Sequence, residues 1–131
     1  MIVIDTSALV TIYRRERGSA QCTAAITKAP LRLAPASAFI EFALLRRIGA
    51  NRMEWLRDAM ASFGIQLQPI EAAVAEIAAD AAKRFERGST HPAQLNFGDC
   101  LSYAVAKHLD APLLYKGDDF IHTDIESALP Q

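Results

Sequence analysis

The sequence predicts an α/β fold, in which a small, mostly parallel sheet of four to five strands is covered by helices on both faces. Short apolar runs of strand-forming residues alternate along the chain with amphipathic helical patterns. Such alternation favours parallel pairing, because each helix carries the chain back across the sheet in a right-handed crossover. The length of 131 residues is close to the ~150 residues of a typical domain, so we expect one domain over residues 1–131.

Four short apolar runs are the predicted strands, and proline closes two of them. In chain order the runs are 2–4, 31–33, 65–67 and 112–115. Pro35 and Pro69 follow the second and third runs, and proline is rarely tolerated inside a sheet because it cannot donate a ladder hydrogen bond. We expect a short fifth strand at the edge of the sheet, near Asp124 and Ile125.

The predicted helices fill the intervals between these runs. The first begins at Thr6 and is broken by Gly18, and the others are 19–28, 36–48, 51–63, 71–87 and 97–109. The clearest is 71–87, where apolar residues recur every three or four positions and form one buried stripe. Asn51 and Glu54 resemble a capping box at the start of the helix 51–63.

The composition excludes several classes of protein. With 51% apolar and 22% charged residues, wholesale disorder is excluded, and two cysteines are too few for a disulfide framework. No apolar run approaches the ~18 residues of a membrane span, and no secretory signal opens the chain. We therefore expect a cytoplasmic protein with no membrane partner.

Acidic residues mark the candidate site. In open parallel sheets, ligands bind beyond the carboxyl ends of the strands. Asp5 ends the first predicted strand, and Asp118 lies just past the fourth, with Asp119 beside it. Glu41 and Asp99 interrupt apolar helical faces, where a carboxylate is costly unless it is paired or bound to a metal. Acidic oxygen ligands without a histidine or cysteine cluster suit a hard ion, Mg²⁺ or Mn²⁺, rather than zinc.

Each of these acids also has a purely structural explanation. Asp5 could serve only as a helix cap, and Asp99 stands in a first helical turn, where the helix dipole favours a carboxylate. Glu41 could pair with an arginine of its own helix, and aspartates after the fourth strand are common in turns. The metal site is favoured because two acidic positions lie at strand ends and two further acids lie on apolar helical faces.

Four sequence blocks together resemble one known family, the PIN domains, and specifically the VapC-type toxin ribonucleases. The first is Ile2-Val3-Ile4-Asp5-Thr6-Ser7-Ala8-Leu9. The next are Glu41 in the helix after the second strand, and Asn96-Phe97-Gly98-Asp99-Cys100 with Tyr103-Ala104. The last is Leu113-Leu114-Tyr115-Lys116-Gly117-Asp118-Asp119-Phe120, followed by Thr123-Asp124. The resemblance covers essentially the whole chain and follows the order of the family.

This resemblance implies a PIN-like three-layer fold and a metal-dependent endoribonuclease that acts as the toxin of a type II toxin–antitoxin pair. It implies that Mg²⁺, or Mn²⁺, is held by Asp5 and Asp99 and supported by Glu41 and Asp118, with Asp119 as the alternative fourth acid. It also implies an RNA substrate, a cognate VapB-like antitoxin and a homodimer. Thr6 and Ser7 are expected either to support the metal ligands by hydrogen bonds or only to cap the helix.

Basic residues near the same strand ends are candidate RNA contacts. Arg14, Arg15, Arg46 and Arg47 lie on helices that leave these ends, although solvated helix ends explain such clusters equally well. The alternative function is a catalytically inactive PIN-fold module that binds RNA or protein. A receiver-like phosphorylation domain is disfavoured, because Pro69 occupies the position where its phosphoacceptor aspartate would stand.

Overall fold

The computed structural model describes residues 1–85 and 88–130 and confirms the predicted α/β architecture. Its strands are β1 (Ile2–Ile4), β2 (Arg32–Pro35), β3 (Ile65–Gln68) and β4 (Leu113–Leu114). Its helices are α1 (Thr6–Tyr13), α2 (Ser19–Lys28), α3 (Ala36–Leu44), α4 (Arg52–Phe63), α5 (Ala72–Phe85) and α6 (Phe97–His108), and a 3₁₀ turn spans Arg46–Ile48. All strand pairs are parallel, in the order β3-β2-β1-β4.

Strand β1 is buried on both faces and divides the core into two parts. Val3 packs against α5 and α6, whereas Ile2 and Ile4 pack against the helices on the opposite side. Leu113 and Leu114 of β4 divide in the same way, because successive side chains of a strand point to opposite faces. The sheet therefore lies between two helical layers, and its continuous apolar strands are typical of parallel sheets covered on both sides.

The predicted end of helix α3 differs from the structure. Helix α3 ends at Leu44 instead of continuing to 48. Next to this end, the guanidinium of Arg52 donates hydrogen bonds to the carbonyls of Phe42, Ala43 and Gly49. Such bonds satisfy the carbonyls that a helix leaves free at its C-terminus. The predicted end of α5 at residue 87 lies outside the described residues.

The predicted capping box at Asn51 and Glu54 is wrong, because Asn51 makes no side-chain cap hydrogen bond. The box occurs instead at α6, where the Asn96 side chain accepts from the Asp99 N–H at 2.8 Å. The Asp99 carboxylate in turn accepts from the Asn96 N–H at 3.1 Å. Satisfying two N–H groups at once fixes the first turn of α6.

The segment after β4 does not form the predicted fifth strand in the described residues. Its contact with the sheet is an isolated parallel bridge between Leu113 and Ser127. The hydroxyl of Tyr103 donates to Asp124 at 2.5 Å, and the ammonium of Lys107 pairs with the same carboxylate at 3.0 Å. Side chains of α6 therefore hold this segment where a strand was expected. None of the helices described is long and apolar enough to span a membrane.

Candidate active site

A cleft of about 680 Å³ lies where β1 and β4 end. The chain leaves β1 on one side towards β2 and returns on the other side through β4, so this is the switch point at which parallel sheets bind ligands. The polar residues lining the cleft are Asp5, Thr6, Ser7, Thr11, Glu16, Arg17, Glu41, Asp99, Lys116 and Asp119. The sheet topology thus brings together side chains that are more than a hundred positions apart in the sequence.

Asp5 both caps α1 and faces the cleft. Its carboxylate oxygen Oδ2 accepts hydrogen bonds from the Ser7 N–H at 3.0 Å and from the Ser7 hydroxyl at 2.6 Å. Asp5 is 4% exposed, yet these bonds leave its Oδ1 without a hydrogen bond among the described residues. Asp5 therefore caps the helix and also presents a carboxylate oxygen to the cleft.

Glu41 reaches the cleft from α3 and lies against the start of α6. The hydroxyl of Thr6 donates to its Oε1 at 2.8 Å, and its carboxylate occupies the space where a side chain at position 98 would begin. Burial raises the pKa of Glu41; the Thr6 hydrogen bond opposes the rise, and the charge of Asp5 adds to it. Gly98 is therefore the residue type that leaves room for this carboxylate.

Asp99 is the most perturbed acid of the cleft. It is 7% exposed, and burial raises its pKa from 3.8 to about 7. The hydrogen bond from Asn96 opposes this rise, whereas the charges of Asp5, Asp119 and Glu41 add to it. Strongly shifted carboxylates in a cleft are typical of functional sites, because such clusters disfavour the charged form until a cation enters.

Asp119, rather than Asp118, is the acid that the last turn brings into the cleft. Asp119 lines the cleft and raises the pKa of Asp99 by its charge. Asp118 is neither among the residues that line the cleft nor among the charges that shift the pKa of Asp99. Both residues are exposed. The backbone turn before Phe120, which includes Gly117 at φ +97°, decides which of the two neighbouring side chains faces inward.

The basic residues at the rim differ from those proposed as RNA contacts. Arg14, Arg15, Arg46 and Arg47 are exposed and do not line the cleft, and Arg14 lies 3.9 Å from Glu16 in a surface ion pair. The cleft instead contains Arg17 and Lys116. Arg17 stands close to Arg14 and Arg15 in the sequence, and Lys116 shares the turn of the last acidic block. Which of these side chains face the cleft depends on tertiary structure.

The acids supply a purely oxygen donor set. Within residues 1–85 and 88–130, no three histidine, cysteine, aspartate or glutamate side chains lie close enough together to hold one metal ion directly. Mg²⁺ usually keeps several of its waters and takes only one or two carboxylates directly. The donor chemistry therefore fits a hydrated hard ion and does not fit a closed structural zinc site.

Comparison with known families and proteins identifies relatives of this chain. The PIN domain family matches residues 2–126. Ribonuclease VapC42 of Mycobacterium tuberculosis is 39% identical over 129 residues, which cover 97% of this chain and 98% of that protein. Ribonuclease VapC28 of the same organism is 36% identical over 137 residues and covers 98% of each chain.

Solved structures share the fold at lower sequence identity. VapC20 of Mycobacterium tuberculosis, described as a Sarcin-Ricin loop cleaving toxin, matches 99% of this chain and 100% of its own with a TM-score of 0.77 at 18% identity. A toxin–antitoxin complex from Klebsiella pneumoniae matches 92% of this chain and 91% of its own with a TM-score of 0.71 at 16% identity. The family match and the relatives of 36–39% identity together establish that the chain belongs to the PIN-domain VapC ribonucleases, the toxic endoribonucleases of toxin–antitoxin systems.

Proposed function

We propose that this chain hydrolyses phosphodiester bonds of RNA at the acidic cleft and that the reaction depends on Mg²⁺ or Mn²⁺. The observation that carries the proposal is the lining of one switch-point cleft by Asp5, Glu41, Asp99 and Asp119. Four carboxylates in one cleft repel one another and disfavour an anionic substrate, so a cation is needed before RNA can approach. The inactive binding module is disfavoured, because it would have no need for this costly arrangement.

The metal ligands we propose are Asp5 and Asp99, supported by Glu41 and by Asp119 in place of Asp118. When bound, a divalent ion polarises the scissile phosphate and lowers the pKa of a coordinated water. The chain itself orients these oxygens. Ser7 holds one oxygen of Asp5, and Thr6 holds Glu41, which is how neighbouring hydroxyls fix metal-binding carboxylates.

Substitution of Asp5 by asparagine tests this function. Asparagine is as good a helix cap as aspartate, so the variant should fold while losing the charge that attracts the ion. We expect RNA cleavage to fall about 100-fold or more, as several kcal/mol of transition-state stabilisation is lost. The matched control is Asp110→Asn, an exposed aspartate that does not line the cleft, which should cleave as the wild type does.

The assay incubates purified wild type and variants with bacterial ribosomal and transfer RNA, in the presence of Mg²⁺, Mn²⁺ or EDTA, and follows fragments on denaturing gels. Cleavage that requires a divalent ion and is lost in the Asp5 variant supports the proposal. Equal cleavage by wild type and the Asp5 variant, or full activity in EDTA, would exclude it. Measuring both ions separately decides between Mg²⁺ and Mn²⁺.

We further propose a VapB-like antitoxin as partner and the cytoplasm as the site of action. The structural neighbour from Klebsiella pneumoniae is described as a toxin–antitoxin complex. An antitoxin arginine inserted among the cleft carboxylates could form bidentate ion pairs and compete with the metal. Such a partner would inhibit by occupying the site that RNA requires.

The homodimer is also a proposal, and an apolar groove of about 830 Å³ between α3, α5 and α6 supports it. Ile40 and Phe97 line this groove and are 63% and 83% exposed, and alanines of α5 form much of the remaining wall. Exposed apolar patches of this kind are typical of protein interfaces. A second copy would bury these side chains on both protomers at once.

A further inference from the structure

Lys116 is placed at the cleft by its backbone, independently of any acidic partner. It follows β4 by two residues, and its N–H donates to the Ser7 hydroxyl at 3.0 Å, which in turn donates to Asp5. The start of its side chain is thus tied to the same short network that orients a proposed metal ligand. Lys116 is half-buried and lines the cleft together with Arg17.

The Lys116 side chain runs across the turn between α1 and α2. A Cβ atom built on Gly18 would lie 2.7 Å from the lysine Nζ and 3.0 Å from its Cε, so the end of the lysine side chain would have to move away from its present place. Gly18 also has φ +95° and forms the N-cap of α2 without a side-chain cap. The absent side chain of Gly18 therefore provides the space that the lysine occupies.

The ammonium of Lys116 has no anionic partner among residues 1–85 and 88–130, where no carboxylate lies within the 4.0 Å of a salt bridge. It lies instead beside the N-terminus of α2, where the helix dipole is positive, and it lines the same cleft as Arg17. Placing a cation at the positive end of a helix is electrostatically unfavourable. An anion at this rim would remove the repulsion and give each group a partner.

We propose that Lys116 binds a phosphate of the RNA substrate at the cleft, and that Gly18 is the positioning residue that lets its side chain reach this place. The inference rests on the proposed ribonuclease function and names the residue by which the cleft attracts its substrate. The carboxylates of the cleft repel phosphate, whereas Lys116 and Arg17 supply positive charge to the same cleft. An ammonium is a compact phosphate-binding group and needs no fixed planar geometry.

The first experiment measures binding without cleavage. In the Asp5→Asn background, binding of a fluorescent random-sequence RNA oligonucleotide is titrated at several salt concentrations, with and without Lys116→Ala. We expect a loss of affinity of about 10- to 100-fold, as for other charged hydrogen bonds. The slope of log K against log salt should fall by about 0.7 for one phosphate contact on a single strand.

Lys28→Ala is the matched control, because Lys28 is an exposed lysine near Met1 and Pro112, away from the cleft. It removes the same charge and should leave both affinity and slope unchanged. Lys116→Arg should restore most of the affinity, since it keeps a cation on a long side chain. An alanine variant that binds RNA with the affinity and slope of its parent would overturn the proposal.

The second experiment is a double-mutant cycle that separates positioning from folding. Gly18→Ala introduces a Cβ against the lysine and strains a left-handed backbone, so it should weaken RNA cleavage about 10-fold and also lower the melting temperature. In the Lys116→Ala background the same substitution should still lower the melting temperature but no longer reduce kcat/KM. Equal losses of kcat/KM in both backgrounds would contradict the role of Gly18.

These outcomes are distinguishable from failure of the ribonuclease proposal itself. If the wild type cleaves RNA and Lys116→Ala cleaves with the same kcat/KM, the lysine proposal fails and the ribonuclease function stands. If the wild type shows no metal-dependent cleavage, the ribonuclease function fails, and the binding titration still decides whether Lys116 contacts RNA.

Discussion

Replacing Asp99 by asparagine should stabilise the metal-free protein at neutral and alkaline pH. Burial raises the pKa of this 7% exposed residue from 3.8 to about 7; the Asn96 hydrogen bond opposes the rise, and the neighbouring charges increase it. Between about pH 4 and pH 7, the folded protein holds a proton that the unfolded chain has released. The free energy of unfolding therefore falls as the pH rises through this range and is level above it.

The size of this effect follows from the shift. One pKa unit corresponds to about 1.36 kcal/mol, so a rise from 3.8 to about 7 amounts to about 4 kcal/mol above pH 7. Water entry and side-chain relaxation reduce the cost of a buried charge, and we expect a gain of about 2–4 kcal/mol for Asp99→Asn. At roughly 3–5 °C per kcal/mol for a domain of this size, the melting temperature should rise by about 6 °C or more.

The assay is thermal unfolding in EDTA at a series of pH values, for wild type, Asp99→Asn and the exposed control Asp118→Asn. The stabilisation by asparagine should be largest at pH 8 and disappear as the pH falls below 3.8, where the aspartate becomes neutral in both states. Added Mg²⁺ should stabilise the wild type and not the Asp99 variant. A gain that is independent of pH, or a loss of stability at pH 8, would refute the electrostatic argument.

Three further predictions concern the same cleft and the apolar groove. Asp119→Asn should weaken Mg²⁺ binding about 10-fold or more in calorimetry because it removes a cleft charge, whereas Asp118→Asn should leave the affinity unchanged. If Asp118→Asn weakens Mg²⁺ binding and Asp119→Asn does not, Asp118 is the fourth acid. Gly98→Ala should keep or slightly raise the melting temperature, since alanine favours helix by about 1 kcal/mol, yet reduce cleavage because its Cβ displaces Glu41; full activity would show that this position of Glu41 is not needed. Phe97→Asp should convert a dimer to a monomer in light scattering by placing a charge in the apolar groove, and an unchanged dimer mass would exclude this groove as the interface.

Local sequence patterns were sufficient to predict the fold and to point to three of the four proposed site acids. The strands are short apolar runs, three of which end at proline or aspartate. The helices between them have clear apolar stripes, and this alternation predicts the parallel topology. Asp5 could be found because it ends a predicted strand, and Glu41 and Asp99 because they interrupt apolar helical faces. Such assignments depend on residues within one turn of each other, which a sequence shows directly.

The remaining features depend on backbone geometry that a pattern does not specify. Asn51 and Asn96 are each followed three residues later by an acid, yet only Asn96 forms the capping box. Asn96 has the extended conformation of a cap (φ −85°, ψ −177°), whereas Asn51 lies at φ −95°, ψ 18°, where its side chain makes no cap bond. The choice between Asp118 and Asp119 depends in the same way on a turn, since neighbouring side chains point in different directions.

Gly98 and Gly18 show why close approaches between distant segments escape prediction. Both glycines look like ordinary interruptions of a helical pattern, but each leaves space for a long side chain from another element: Glu41 in one case and Lys116 in the other. These two side chains bring opposite charges to the cleft. In the sequence, a glycine of this kind cannot be distinguished from other glycines, because its role depends on which distant side chain packs against it in the fold.

The structural and the functional explanations of the site acids are therefore complementary. Asp5 caps α1 and Asp99 closes the capping box of α6, so both carboxylates stand at the positive ends of helices, which favour negative charge. These hydrogen bonds and dipoles offset part of the repulsion among the acids while no cation is present. A helix N-terminus thus stabilises Asp5 and Asp99 through the fold itself, and this helps a small domain to keep four carboxylates in one cleft without unfolding.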